Sequence, residues 1–447
     1  MPVPSQHTDP PSPAHLLALT GDAWLEEVVP HLPAEVVTQA QALGAFQRVR
    51  GIATPTDLLR ALLAFALDGL STRGLGAWAV LVGVADISEA AWRQRLGKSS
   101  GWLGWLLGAL LTAEVAVTPA VNGRGRRIRL VDATRLAQVG GTGDDWRVHL
   151  AYDLLTTRVD GVVVSDRHTA EGLGHLLLAP GDVVVGDGGY GYRRQVATAR
   201  AGGADVVLRI DPRTCPLVDD AGRPFAVETW LRRQAGQCTE WAGWCVWMGQ
   251  RFPVRLIASP LPPAQRRRAR TRKQRRAKRK GRRVSARTLR LAGWWLLLTT
   301  LAAAWPPADI VRLYRARWQV EVLFKRMKQL LRAHTIRART RAAAEATVRA
   351  LLVAWALAER AAAGVRGALP ADPARPLSLW RVAQLSLTTL AQAVHGDWTR
   401  AHLHACLPRL ARFLGDTPRR RPQQAATVQT WLDAHPGLAT ASQQIAA

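Results

Sequence analysis

The sequence predicts an α/β layer flanked on both sides by helical regions. Three stretches of hydrophobic patterning lead to that fold class. Apolar residues recur at helical spacing through the first part of the chain, alternate in short strand-like runs from Arg127 to Ile210, and return to helical spacing beyond about residue 345.

In chain order, Met1–Pro13 is polar and Pro-rich and reads as part of a disordered tail; it lacks the basic and apolar regions of a signal peptide. From Leu16 to about Thr118 the pattern is helical. Leu58, Leu59, Leu62, Leu63, Ala66 and Leu67 form one apolar face, and Gly69, Gly74 and Gly76 interrupt it. Asp86-Ile87-Ser88 offers a cap for the next helix, and Trp92–Leu111 carries another apolar face. Gly123-Arg124-Gly125 is a turn signal. Strands are expected at Arg127–Asp132, Arg147–Asp153, Gly161–Ser165, Asp182–Asp187 and Ala204–Ile210. A short helix is expected between Thr169 and Leu178 and another over Arg193–Arg200. Residues 211–300 read as a β-rich insertion, with Trp230, Trp241, Trp244 and Trp247 and strand-like runs at Pro253–Ala258 and Trp294–Thr299. One helix is expected after Pro306-Pro307, and residues 345–414 are helical again, broken near Gly364–Pro376. No internal repeat is visible.

The chain has 447 residues, 48% of them hydrophobic, enough for two or three folded domains. Its formal net charge is +28. Such a charge repels itself in a compact fold unless a polyanion offsets it, which makes nucleic acid the leading partner. A membrane surface is the rival, weakened because no run of about 20 uncharged apolar residues exists: Trp102–Ala113 meets Glu114, and Leu291–Trp305 meets Pro306. The segment Arg266–Arg283 holds 13 basic residues in 18 and no acidic one. It reads as a loop that orders on DNA or RNA, as a solvated insertion, or as a localisation-like patch, with DNA contact favoured. Cys215, Cys238, Cys245 and Cys406 form no CxxC pair and have no His at zinc-finger spacing, so no structural zinc is expected and a reducing cytoplasm is the default compartment.

The chemistry is carried by three acids. Asp132 ends the first strand of the layer, and Asp187 ends a later one and is followed by Gly188-Gly189-Tyr190-Gly191. If these strands are neighbours, both carboxylates meet beyond the strand ends, where a hard cation such as Mg²⁺ would offset their repulsion. Glu321 is the third. Tyr314, Arg317, Glu321 and Lys328 are spaced 0, 3, 7 and 14 along one expected helix. At about 100° per residue they fall within roughly 60° of each other. Taken singly, each Asp reads as a turn former and Glu321 as an ion-pair partner of Arg317 or Lys325. Together they read as a three-carboxylate site for two divalent ions. His149 and His168 are read as ordinary strand and turn residues outside that site.

The arrangement resembles the bacterial DDE transposases of the insertion-sequence-four type. Their signature Tyr-x2-Arg-x3-Glu-x6-Lys is matched without a spacing error by Tyr314, Arg317, Glu321 and Lys328. Their Asp-Arg-Gly-Tyr motif appears as Asp187-Gly188-Gly189-Tyr190, with Gly188 in place of Arg, and the first motif appears as Asp132-Ala133-Thr134. The resemblance covers about residues 125–335. It implies an RNase H-like mixed sheet with a β-rich insertion, flanked by N-terminal and C-terminal helices. Asp132, Asp187 and Glu321 would hold two Mg²⁺ ions, with Mn²⁺ able to substitute. Tyr314, Arg317, Lys328, Trp295 and Tyr190 would contact DNA, Trp295 by stacking on a flipped base, although packing of Trp294 or Trp295 in the insertion core reads equally well.

On this reading residues 1–14 are a tail, 15–122 a helical DNA-binding domain, 123–344 the catalytic core with its insertion at 211–300, and 345–447 a helical region with a possible role in dimerisation. The expected partners are double-stranded DNA, as inverted-repeat ends and as target, and a second copy of the chain on DNA, in the bacterial cytoplasm at the nucleoid. Two alternatives stay open: a catalytically degenerate or domesticated relative, which the Gly188 departure supports, and an architectural DNA-binding protein, which would need the basic charge but no carboxylate trio.

Overall fold

Strand β1, Ile128–Gln138, organises the sheet. Its partners are β2 (Trp146–Asp153), antiparallel, and β4 (Val183–Gly186), parallel. The computed structural model describes residues 22–117, 127–141, 143, 145–234, 236–369 and 376–396. The expected tail at 1–14 and the residues from 397 onward lie outside that set.

β3 (Arg158–Asp166) pairs antiparallel with β2, and β5 (Asp205–Arg209) pairs parallel with β4. The order β3-β2-β1-β4-β5, three antiparallel strands followed by parallel ones, is the RNase H-like mixed sheet. Val183, Val184, Val185 and Gly186 are all buried, as suits a central parallel strand covered on both faces. β1 also places Arg129 in the interior, 2% exposed, where it pairs with Asp160 at 2.9 Å and Asp182 at 3.3 Å. A buried arginine is tolerable only with such partners.

The segment 211–300 differs from expectation in two respects. It is β-rich, but it continues the same sheet. β9 (Trp294–Thr299) pairs with β5, β8 (Gln250–Pro260) pairs with β9, β7 (Thr239–Trp247) with β8, and β6 (Leu217–Val218) with β7. Leu208, Leu256 and Leu298 lie in register across three of these strands and share one core with Val184 and Val196. The basic run is not an open loop. Pro263–Lys278 forms a 16-residue helix with no buried residue.

The chain divides into two compact units. One takes the described residues of Glu114–Leu136 and Asp144–Lys325, which include the sheet from β2 to β9 and most of β1. The other takes those of Met1–Ala113, Ala137–Gly143 and Arg326–Pro418. In this second unit the helices before and after the sheet, expected as separate flanks, pack together. α1 is Val36–Ala42, α2 Pro55–Asp68, α3 Thr72–Leu81, α4 Glu89–Lys98 and α5 Ser100–Val117. α2 starts at a capping box on Thr54 and Asp57, and α4 is capped by Ser88, as its position suggests. The long C-terminal helix Arg341–Ala368 packs against α2, α4 and the helix Leu379–His395. The apolar side of that long helix is thus covered within its own unit. Among the described residues, no helix is long and apolar enough to cross a membrane.

Candidate active site

The parallel pairing of β1 and β4 sets Val131 opposite Gly186. The next residue on each strand is an aspartate, so Asp132 and Asp187 lie side by side, at a strand spacing of about 4.8 Å. Each carboxylate is oriented by a backbone N–H. Ala133 N donates to Asp132 Oδ1 at 2.8 Å, and Gly189 N donates to Asp187 Oδ1 at 2.7 Å. The turn after Asp187 is closed by Tyr190 N donating to Asp187 O at 3.1 Å. Burial, and then the charge of Asp187, push the Asp132 carboxyl up to about 7; the Ala133 N–H and Arg317 oppose that shift.

Glu321 reaches this pair through Arg317. The single helix expected from the signature is two: α10 (Pro307–Ala316, numbered after α6 Arg193–Ala201, α7 Val227–Arg232, α8 Pro263–Lys278 and α9 Ala286–Leu291) and α11 (Trp318–Leu330). Arg317 sits at the junction, where its N–H bonds Tyr314 O and its O accepts from Val320 N. From there the guanidinium spans two acids: Nη1 donates to Asp132 Oδ2 at 3.5 Å and Nη2 donates to Glu321 Oε1. Burial alone would depress the Arg317 guanidinium, but the hydrogen bond to Glu321 and the charges around it hold it above its ordinary value. Glu321 is therefore both an ion-pair partner of Arg317 and a member of the acidic constellation.

Sequence reasoning missed Glu171. It lies in the stretch before Leu173–His175, where a short helix was expected and only one 3-10 turn forms. A Cβ on Gly189 would fall 2.1 Å from Glu171 Oε2, so this carboxylate rests on the Asp187 turn. Burial and the charge of Asp187 raise Glu171, while Arg147 and Arg135 lower it. Nothing in its local pattern distinguishes it from an ordinary loop acid.

The expected DNA-contacting residues separate into two groups. Tyr190 is 1% exposed and packs in the core beneath the turn, so it presents no surface to DNA here. Tyr314 is also buried; its ring lies 5.9 Å from the Arg317 guanidinium carbon and 5.6 Å from the Trp295 ring centroid. Trp294 packs on the insertion core, whereas Trp295, its neighbour on β9, sits half-buried between Tyr314 and Arg315, whose guanidinium carbon lies 5.5 Å from the ring. Lys328 lies on α11 seven residues beyond Glu321. His149 is buried, bonds Ser165 Oγ at 2.8 Å and faces His175; burial first, then His175 and Arg147, push it down to about 4. His168 is exposed, with Arg167 Nε 3.1 Å from its Nε2.

The donor set suits a hard divalent cation, since Asp132, Asp187 and Glu321 offer only carboxylate oxygen. Burial and, after it, the charge of Asp187 raise the Asp132 carboxyl, a cost that a bound cation would offset. Among the described residues no three acids, histidines or cysteines already converge at metal-binding positions. The Asp132–Asp187 pair forms one side, and Glu321 would complete the set by releasing Arg317.

Residues 123–357 match the family model of the transposase DDE domain. The chain belongs to the DDE transposases. It is 35% identical over 344 residues to the transposase for insertion sequence element IS421 of Escherichia coli, covering 74% of this chain and 92% of that protein. The same identity holds over 343 residues, with the same coverage, against InsL for insertion sequence elements IS186A and IS186B of Escherichia coli strain K12. The matched region contains Asp132, Asp187 and the whole stretch from Tyr314 to Lys328. This transposase is thus of the insertion-sequence-four type to which the helix signature pointed.

Proposed function

We propose that Asp132, Asp187 and Glu321 are the three carboxylates with which this transposase cuts the ends of its element and joins them to target DNA. The observation that carries the reading is the Val131–Gly186 register, which sets two aspartates of distant sequence next to each other, with Arg317 linking Asp132 to Glu321. These three residues would hold Mg²⁺, or Mn²⁺ in its place. Two such ions, when bound, supply Lewis-acid activation of a nucleophilic oxygen and stabilise the leaving one.

The chain's own groups orient the reaction. The Ala133 and Gly189 N–H groups fix one oxygen of each aspartate, and the second oxygen of Asp132 accepts from Arg317. Arg317, shared between Asp132 and Glu321, would be the donor to a phosphate when those acids hold metal ions. Lys328 adds positive charge farther along the same helix. In end cleavage a water oxygen bonds to phosphorus, the 3′ oxygen of the element leaves as a hydroxyl, and a 5′ phosphate remains on the flank. In joining, that 3′ hydroxyl loses its proton and bonds to a target phosphorus, displacing a target 3′ oxygen. Bringing two ends together implies a dimer on DNA, in the nucleoid. A Cβ at Gly188 would meet no atom within 4 Å, so the turn has room at this position for the family's Arg.

The test is incubation with Mg²⁺ or Mn²⁺ and a DNA fragment carrying the repeats that flank the gene. Nicking at the repeat ends, lost in Asp132→Asn, Asp187→Asn and Glu321→Gln while DNA binding is retained, is the expected result. Full nicking in any one variant removes that residue from the site.

A further inference from the structure

The geometry points to α8, Pro263–Lys278, as a docking rail for duplex DNA of any sequence, the target rather than the element's own ends. This inference rests on the proposed transposase chemistry for its biological sense but not for its physical basis. The helix has two sides. Arg266, Ala269 and Ala277 are half-buried. Arg266 Nη2 donates to Leu261 O at 3.3 Å, Arg270 Nε donates to Leu289 O at 3.1 Å, and Lys273 lies near Asp211. These positions fall on one stripe of the helical wheel and tether the helix to the sheet unit. The opposite side carries Arg268, Arg272, Arg275 and, at the C-terminal cap, Arg279, all exposed. At offsets of 4, 3 and 4 residues they form one line.

The charge balance around this line is unusual for its own surroundings. Other exposed arginines in the same region have carboxylate partners: Arg213 has Asp211, Arg223 has Asp219, and Arg232 and Arg290 share Glu228. No carboxylate among the described residues pairs with Arg268, Arg272, Arg275 or Arg279. Like charges at these spacings destabilise a helix that nothing neutralises. The line is about 16 Å long at the helical rise, a length over which one DNA strand presents about five phosphates. Four evenly placed cations therefore match a phosphate row in both length and charge. The match is to backbone phosphates, which carry no sequence information, and contact of that kind is what capture of arbitrary target DNA requires.

The experiment compares the full chain with Arg268→Gln/Arg272→Gln/Arg275→Gln/Arg279→Gln, in which glutamine preserves helix propensity. Binding to a duplex of unrelated sequence is measured between 50 and 200 mM salt, alongside nicking of the repeat-bearing fragment. Circular dichroism and thermal melting verify that the variant is folded. The variant is expected to lose about 3.6 from the salt slope, roughly 0.9 per phosphate contact, and to retain end nicking. Arg266→Gln/Arg270→Gln, on the tethered stripe, is expected to keep most of the slope. An unchanged slope in the fourfold variant overturns the rail. A loss confined to RNA or to anionic vesicles of phosphatidylserine overturns the choice of partner. Binding and nicking of repeat ends that fall in parallel with unrelated-duplex binding overturn the assignment to target. If the wild-type chain nicks nothing, the transposase chemistry fails while the salt slope still decides the rail.

Discussion

Asp132 and Asp187 stand side by side on parallel strands, each one residue beyond the paired Val131 and Gly186. The folded chain therefore holds two acids where ionising both is costly. Asp132 is pushed from 3.8 up to about 7, by burial first and by Asp187 second. A raised acid retains its proton in the folded state after the unfolded chain has lost it. This contribution to stability is complete below about pH 4 and disappears as pH rises through 7.

The first prediction follows from that sign. In EDTA, urea denaturation should show stability falling between about pH 4 and 7, and Asp132→Asn should remove most of this component. At pH 8 the variant should be more stable than the wild type by about 1–3 kcal/mol, while Mg²⁺-dependent nicking is lost. Because a cation competes with the proton, wild-type metal affinity should rise from pH 6 to 8. Equal pH dependence of unfolding in the two proteins would show that Asp132 ionises freely.

Arg317 provides the second prediction. It lowers the Asp132 carboxyl and is hydrogen-bonded to Glu321. Arg317→Ala should move the metal-binding pH profile of Asp132 upward and reduce nicking about 10²-fold or more. Arg317→Lys keeps the charge but not the two-pronged geometry, so it should restore the pH profile more fully than the rate. Two variants with identical pH profiles and rates would assign Arg317 a merely structural role.

The turn after Asp187 yields a graded prediction. A Cβ at Gly188 meets nothing within 4 Å, one at Gly189 falls 2.1 Å from the end of the Glu171 side chain, and one at Gly191 falls 2.3 Å from the backbone oxygen of Arg209. Gly188→Arg should therefore fold within about 0.5 kcal/mol of the wild type. Gly189→Ala should be milder than Gly191→Ala because Glu171 can swing aside, and Glu171→Ala should rescue it. Gly191→Ala should cost about 1–3 kcal/mol, with no side-chain remedy. Thermal melts of the set check the order; a Gly189→Ala defect that survives Glu171→Ala would mean that the turn, and not the carboxylate, resists the methyl.

The sequence made some of this legible and hid the rest for identifiable reasons. Alternation located β1 and β2, and a continuous apolar run located β4 with Asp187 just beyond its end; Asp132 was readable as an acid on the first strand, but that strand does not end there and runs on to Gln138. The register of β1 and β4 was not readable, because pairing is non-local. The same applies to Val207 opposite Thr299, which draws the insertion into the main sheet, and to the packing of the Arg341–Ala368 helix against α2. The break at Arg317 has no proline or glycine to announce it. The basic helix α8 is made of good helix formers, but it has no apolar period to reveal a helix. Glu171 is recognisable only by where the fold places it.

The last prediction concerns Trp295. Strand alternation packs the half-buried Trp294 against the insertion core and sets the equally half-buried Trp295 beside Tyr314 and under Arg315. An indole held edge-on by one ring and covered by an exposed arginine can exchange that cation for a base, since either neighbour satisfies its π face. With 2-aminopurine at successive positions beside the cleaved end, the wild type should change the fluorescence of one position, and Trp295→Ala should abolish that change while leaving the fold intact. Trp294→Ala should do the reverse, lowering stability by about 1–3 kcal/mol with the fluorescence response retained in whatever fraction folds. A response that survives Trp295→Ala would return that tryptophan to a packing role.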